Sequence, residues 1–249
     1  MKKIIMTFIG VIVAVMLFFT PVLANDQSEF TENFDYAAEM KDLDIGHALH
    51  LIKIYMYENP YATEEQINLH LIYLIKSNSI FPERARVDWA GFLPSNVNHM
   101  GPHTTAVFNS NPISGMQALN SGRIAEDTAA SRWSAASLHN GNGDAFRHAF
   151  WNAHLFFQIA NRDFVIRFTT AWEDDGDARG QPRIERDMDI FNNLRGVEIG
   201  TSFRNANIGV NPNVAMPRLE AEVMNATRNG VLRIISNGRL VASNGNGSR

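Results

Sequence analysis

Apolar residues recur at helical spacing along most of the chain, and polar residues between them mark where helices start and stop. In LDIGHALHLIKIYMYENP the run ends at Asn59-Pro60, because proline removes a helical N–H and clashes with the preceding turn. Thr63-Glu64-Glu65-Gln66 then reads as a capping box, with Thr63 at the N-cap and Gln66 three residues on. Ile67, Leu71, Leu74 and Ile75 follow at 3.6-residue spacing and predict a core-facing stripe through about Ser77. The two segments are expected to pair as an antiparallel helical hairpin. Phe81 to Ser114 is rich in Pro, Asn and Gly and has no sustained period, so an irregular connection is expected there. Helical composition returns from about Ile113 to Leu138. A further helix carries NGNGDAFRHAFWNAHLFF and is expected to run to roughly Trp172.

After an acidic loop, EDDGDARGQPR, the pattern predicts a helix from Ile184 to Glu198, a loop from Gly200 to Pro212 and a last helix from Ala215 to Asn229. Asn237-Gly238 sits between two β-branched runs, which is a strong hairpin signal. The expected class is mainly α: a helical bundle-like domain with a small C-terminal β-hairpin.

The first 24 residues change this picture. Lys2 and Lys3, an apolar run from Ile4 to Phe19 and the ending Val22-Leu23-Ala24 match a secretory signal peptide. The alternative is an uncleaved membrane anchor. The organisation expected is therefore a signal peptide (1–24), a polar leader and helical hairpin (25–80), an irregular connection (81–112) and a main helical domain with its hairpin (113–249). A secreted or extracytoplasmic protein is expected, with no membrane span once the signal is cleaved. Without Lys2 and Lys3 the 22 basic residues fall to 20 against 26 acidic ones, and the formal charge moves from −4 to −6. Such a chain gains nothing from phosphate-backbone attraction, so nucleic acid is not an expected partner. There is no cysteine, and the core must hold without disulfides.

Candidate chemistry concentrates in the motif helix. At 100° per residue, Asp144, His148, Trp151 and Leu155 share one stripe, flanked by Arg147 and Asn152. Phe146, Phe150, Ala153 and Phe157 lie opposite and are expected to face the core, with Asn142 or Gly143 as the cap. In ERDMDIFNNLRGVEIG, Glu185, Asp189, Asn192 and Gly196 share a face, with Asn193 beside it. Asparagines are poor helix formers because their amides compete for the backbone, so Asn192 and Asn193 are expected to have specific hydrogen-bond partners. Glu173, Asp174, Asp175 and Asp177 oppose a helix dipole if they end a helix, which requires solvation outside it or neutralisation by a cation or Arg. Their spacing does not match a calcium loop. The remaining histidines, including the i,i+3 pair His47 and His50, read as ordinary surface or core residues.

Asp144-Ala145-Phe146-Arg147-His148-Ala149-Phe150-Trp151-Asn152-Ala153 resembles the hallmark D-A-F-R-H-x-[FY]-W-N-A of a family of secreted bacterial domains, also found at the ends of large toxin-like proteins, with no established activity. That family carries T-x-A-H-E and M-D-L-H-N-N-x-x-G further on. The counterparts here are Thr170-Ala171-Trp172-Glu173 and Met188-Asp189-Ile190-Phe191-Asn192-Asn193 with Gly196, and the resemblance spans roughly Ile113 to Leu240. Trp172 and Phe191 replace two histidines of the pattern, so the resemblance does not imply a multi-histidine zinc site in this chain.

Two functional classes follow. In the first, the protein is an exported hydrolase acting on a phosphodiester, ester or amide of the cell envelope. His148 is the general base oriented by Asp144 or another carboxylate, Glu173 and Asp189 bind a divalent cation or act as acid and base, and Arg147 stabilises developing negative charge. Asn193 completes the catalytic set, with Trp151, Asn152 and Asn192 as substrate contacts. In the second, the same residues form a structural network in a non-catalytic module that binds an envelope component or another protein. Exposure separates the two: a hydrolase needs His148 and Glu173 open to a cleft, whereas a structural network seals them between helices.

Overall fold

Apolar residues at helical spacing build helices through most of the described residues. The computed structural model describes residues 34–40, 44–77 and 100–249. The expected signal peptide, most of the polar leader and residues 81–99 of the expected connection lie outside the described residues. Among the described residues no helix is long and apolar enough to cross a membrane.

The described elements are α1 (Tyr36–Glu39), α2 (Ile45–Glu58), α3 (Glu64–Lys76), α4 (Pro102–Ser110), α5 (Pro112–Arg132), a 3-10 turn (Ala135–Ser137), α6 (Asn142–Ile159), α7 (Arg162–Ala178), α8 (Arg183–Ala206), α9 (Pro212–Arg228), β1 (Arg233–Ser236) and β2 (Arg239–Ala242). All belong to one compact unit, Asp35–Arg249. The mainly α class with a C-terminal hairpin is thus the observed one. The capping box also forms, with Thr63 N–H donating to Gln66 Oε1 at 2.9 Å and Gln66 N–H to Thr63 Oγ1 at 3.2 Å. Helices α2 and α3 pack together, with the Tyr55 and His70 rings stacked 4.0 Å apart. In the hairpin Asn237 and Gly238 both take positive φ, 51° and 71°, the conformation a tight two-residue turn needs.

Several boundaries differ from the expectations, each for a tertiary reason. The leader's end is helical: Asp35 caps α1 and accepts from Asn109 Nδ2, while Tyr36 is buried. Part of the expected irregular connection is α4, whose first N–H groups, of His103 and Thr104, donate to Asp175 at 3.0 and 2.8 Å. A cap supplied from 71 and 72 residues away in sequence leaves no local signature. The long helix expected through Trp172 is two helices, broken at Ala160, which adopts φ 51°, with Asn161 capping α7. Helix α7 then runs on to Ala178, so the expected acidic loop is largely helical. Gly200 does not open a loop either, because α8 continues to Ala206. Finally, Gly141 is the N-cap of α6, with Asn142 already inside the helix.

Helix α6 is the centre of the unit. It packs against α5, α7, α8, α9 and β1, and from Asn142 to Phe157 only Arg147 is not buried. The polar face of the motif helix is therefore covered as well as the apolar one. It is covered because α8 offers a stripe of Asp189, Asn193, Gly196 and Gly200. Glycines let the helices approach: a Cβ at Gly196 would lie 2.2 Å from the Ala149 carbonyl oxygen, and one at Gly200 would lie 2.7 Å from that of Ala153. This close approach sets how deeply Asp189 and Asn193 reach toward His148.

Candidate functional site

Three helices deliver the candidate residues to one place. Asp144 and His148 sit one turn apart on α6, Glu173 lies near the end of α7, and Asp189 and Asn193 are one turn apart on α8. The His148 ring is at the centre. Its Nε2 lies 3.0 Å from an Arg147 nitrogen, 3.3 Å from Asp189 Oδ1 and 3.6 Å from Asp144 Oδ1. Its Nδ1 lies 3.1 Å from Asn193 Oδ1 and 3.6 Å from Glu173 Oε1. A guanidinium can only donate, so the Arg147 contact requires an unprotonated Nε2, whereas a proton on Nε2 would pair with Asp189 Oδ1 or Asp144 Oδ1 instead.

Each neighbour is held in turn. Asp144 Oδ1 accepts from Arg147 at 2.5 Å and Oδ2 from the Asn140 N–H at 2.6 Å. Asn193 Oδ1 also accepts from Asn152 Nδ2 at 2.8 Å, and Asn193 Nδ2 donates to Glu173 at 3.2 Å. Asn152 Oδ1 accepts from the Thr169 hydroxyl at 3.0 Å. Asp189 Oδ2 accepts from Gln181 Nε2 at 2.8 Å, but Oδ1 is buried with no hydrogen-bond donor. Thr169 and Gln181 were missed by the sequence reading. Thr169 could have been found, since it precedes Glu173 by one turn on the same face. Gln181 lies beyond the helix end, where periodicity is silent.

The other candidates serve the packing around this network. Trp151 Nε1 donates to the Ala118 carbonyl at 2.8 Å, and its ring meets Trp172 edge-on at 5.7 Å. Asn192 donates to the Arg233 carbonyl and accepts its N–H, both at 2.9 Å, which ties β1 to α8. Both asparagines thus have the specific partners expected of them. Glu185 accepts from Asn140 Nδ2 at 2.8 Å. Three of the four acids ending α7 have individual partners: Asp174 pairs with Arg186 at 2.5 Å, Asp175 caps α4, and Glu173 joins the network. Trp172 and Phe191 take no part in these hydrogen bonds and ion pairs. Phe191 leaves α8 about 200° around from Asp189 and lies under the guanidinium groups of Arg195 and Arg233, at 5.2 and 4.8 Å.

The electrostatics follow from burying three carboxyls beside one imidazole and one guanidinium. Burial alone raises the Asp144 carboxyl, but Arg147, His148 and the Asn140 N–H outweigh it and hold its pKa below the ordinary value. Burial pushes Glu173 up to about 7, against hydrogen bonds from Asn193 and Gln181 and the charge of Arg147. Asp189 is pushed to about 7 by burial and by the neighbouring carboxylates, against His148 and Arg147. Raised carboxyls favour the fold below their unfolded pKa and lose that contribution as pH rises through about 7.

A family model described as a domain of unknown function, DUF6973, matches residues 105–230, just over half of the chain. The chain belongs to this family. The matched residues include Asp144–Ala153, Thr170–Glu173, Met188–Asn193 and every residue of the network. No curated protein and no solved structure matches the chain.

Just beyond the network, His154 is buried on α6 with Nδ1 2.9 Å from the Ser121 hydroxyl. Burial, helped by Lys53, lowers its pKa to about 4. The folded form stays neutral where the unfolded chain takes up a proton, so stability is lost as pH falls from about 6.5 toward 4. Glu173 and Asp189 act in the opposite direction over part of that window, so a difference measurement isolates His154. Relative to His154→Gln, wild type should lose about 2 kcal/mol between pH 6.5 and 5, read from urea midpoints at the two pH values. Equal pH dependence of the two proteins contradicts this.

Proposed function

We propose that the protein is a non-catalytic exported module, and that its motif residues form the polar network locking α6, α7 and α8 together. The observation that carries this reading is the sealing of the network's centre: His148 is 3% exposed and Glu173 2%. A general base must come within hydrogen-bond reach of a substrate or its water, and here both ring nitrogens face protein groups. Trp151, Asn152 and Asn192 support the same reading, since their polar atoms are engaged within the fold. On this proposal the protein acts by binding, with a cell-envelope component or another protein as its partner.

One observation favours the hydrolase reading instead. Three carboxylates lie within 3.6 Å of one imidazole, and the Arg147 side chain above them is 33% exposed. Displacing that guanidinium would open a route to His148.

His148→Ala tests the two readings together. Removing the ring leaves three buried carboxyls facing a cavity, and the structural reading expects a loss of about 3–5 kcal/mol in urea denaturation. It also expects no turnover of ester, phosphodiester or amide reporter substrates by the wild type. A stable His148→Ala protein that lost a measurable wild-type hydrolytic activity would sink the structural reading.

A further inference from the structure

Asp189 Oδ1 is the one network atom that the structural reading leaves without a purpose. It is buried, it has no donor, and it lies 3.3 Å from an Nε2 already engaged with Arg147. Gln181 holds the other oxygen of the same carboxylate, so Oδ1 stays aimed at the ring. We propose that Asp144, His148 and Asp189 form a binding site for one divalent transition-metal cation, which enters in exchange for the guanidinium of Arg147.

Geometry carries this first. Metal–ligand bonds of about 2.0–2.2 Å place tetrahedral ligand atoms roughly 3.3–3.6 Å apart. His148 Nε2 stands 3.3 Å from Asp189 Oδ1 and 3.6 Å from Asp144 Oδ1, and all three ligand atoms lie within 4.8 Å of one another. Only the edge between the carboxylates must shorten, which a shared cation would drive.

The surroundings fit as well. A metal-bound imidazole is normally oriented by a hydrogen bond from its other ring nitrogen to a carbonyl or carboxylate. His148 Nδ1 has Asn193 Oδ1 at 3.1 Å, backed by Glu173. Glu173 thus stands behind the ring, so the proposed ligand set differs from a pairing of Glu173 with Asp189 around a cation. One imidazole with two carboxylates suits Zn²⁺ or Mn²⁺ better than Ca²⁺ or Mg²⁺, which favour all-oxygen sets. The Arg147 nitrogen, 2.5 Å from Asp144 Oδ1 and 3.0 Å from Nε2, already supplies positive charge at that point. Its side chain is 33% exposed while the three ligands are nearly sealed.

The competition between guanidinium and metal makes the test specific. The purified protein is stripped with chelator, and Zn²⁺, Mn²⁺ and Mg²⁺ binding are each measured by equilibrium dialysis. The expected result is one equivalent of Zn²⁺ or Mn²⁺ and no comparable Mg²⁺ uptake. Asp189→Asn should bind at least tenfold more weakly, and Arg147→Ala about tenfold more tightly because the competing cation is gone. Absence of stoichiometric binding in both wild type and Arg147→Ala overturns the proposal, as does weaker binding by Arg147→Ala. If Asp189→Asn fails to fold, the Arg147→Ala comparison still decides. The structural reading is tested separately, by denaturation in chelator, so either idea can fail alone.

Discussion

Gly196→Ala is expected to destabilise the protein by at least about 3 kcal/mol, although the same change in an open helix stabilises it. Alanine exceeds glycine in helix propensity by up to about 1 kcal/mol, so an unobstructed position would gain. At Gly196 the added methyl would stand 2.2 Å from the carbonyl oxygen of Ala149 and 2.8 Å from its carbonyl carbon and Cα. These are backbone atoms of a helix buried on nearly every side, so they cannot rotate away, and the helices must separate. Overpacking a core costs about 1–3 kcal/mol where side chains can yield, and more where backbone must move. Separation would also pull Asn193, on the preceding turn, away from His148. Urea denaturation reads the change, with Leu194→Ala on the same helix but 40% exposed as the control. A Gly196→Ala protein as stable as wild type would mean that the α6–α8 contact is looser than described.

Asn193→Ala should cost a similar amount, about 3–5 kcal/mol, through a different mechanism. The amide oxygen serves His148 Nδ1 and Asn152 Nδ2, and the amide nitrogen serves Glu173. Truncation takes one partner from each of three buried groups at once: His148 Nδ1 loses its acceptor, while Asn152 Nδ2 keeps only the His148 carbonyl and Glu173 keeps only Gln181. Each unsatisfied group costs about 1–3 kcal/mol, and more when charged. The loss should not add to that of His148→Ala, because the two side chains act in one network. Denaturation of both single variants and the double variant measures this coupling. Fully additive losses would show that the network does not act as a unit.

The sequence disclosed what is local. The Thr63–Gln66 box and the Asn237-Gly238 turn depend on residues within a few positions, and both form as expected. Asp144, Arg147, His148, Asp189 and Asn193 were also legible, because 100° per residue puts them on shared helix faces. What the pattern could not reveal was what covers those faces. A polar stripe faces solvent by default, and only the complementary stripe on α8, brought close by Gly196 and Gly200, turns this one inward. The same glycines misled the reading of α8: Gly200 resembles a helix stop in sequence but is a contact point in the fold. Ala160 was invisible for the opposite reason, since alanine is a strong helix former and adopts its left-handed conformation only where α7 must turn back. Helix α4 and the acids ending α7 explain each other through Asp175, over a sequence distance that no window spans.

The central claim, that His148 is sealed inside a structural network, is tested most directly by its chemical accessibility. Diethyl pyrocarbonate acylates neutral imidazole nitrogens, and site-resolved mass spectrometry gives a rate for each histidine. His139, whose side chain is 78% exposed, serves as the internal standard in chelator-treated protein. The sealed network predicts labelling of His148 at least a hundredfold slower than His139, accelerating only when denaturant unfolds the chain. Labelling of His148 in the native protein at a rate near that of His139 would contradict it.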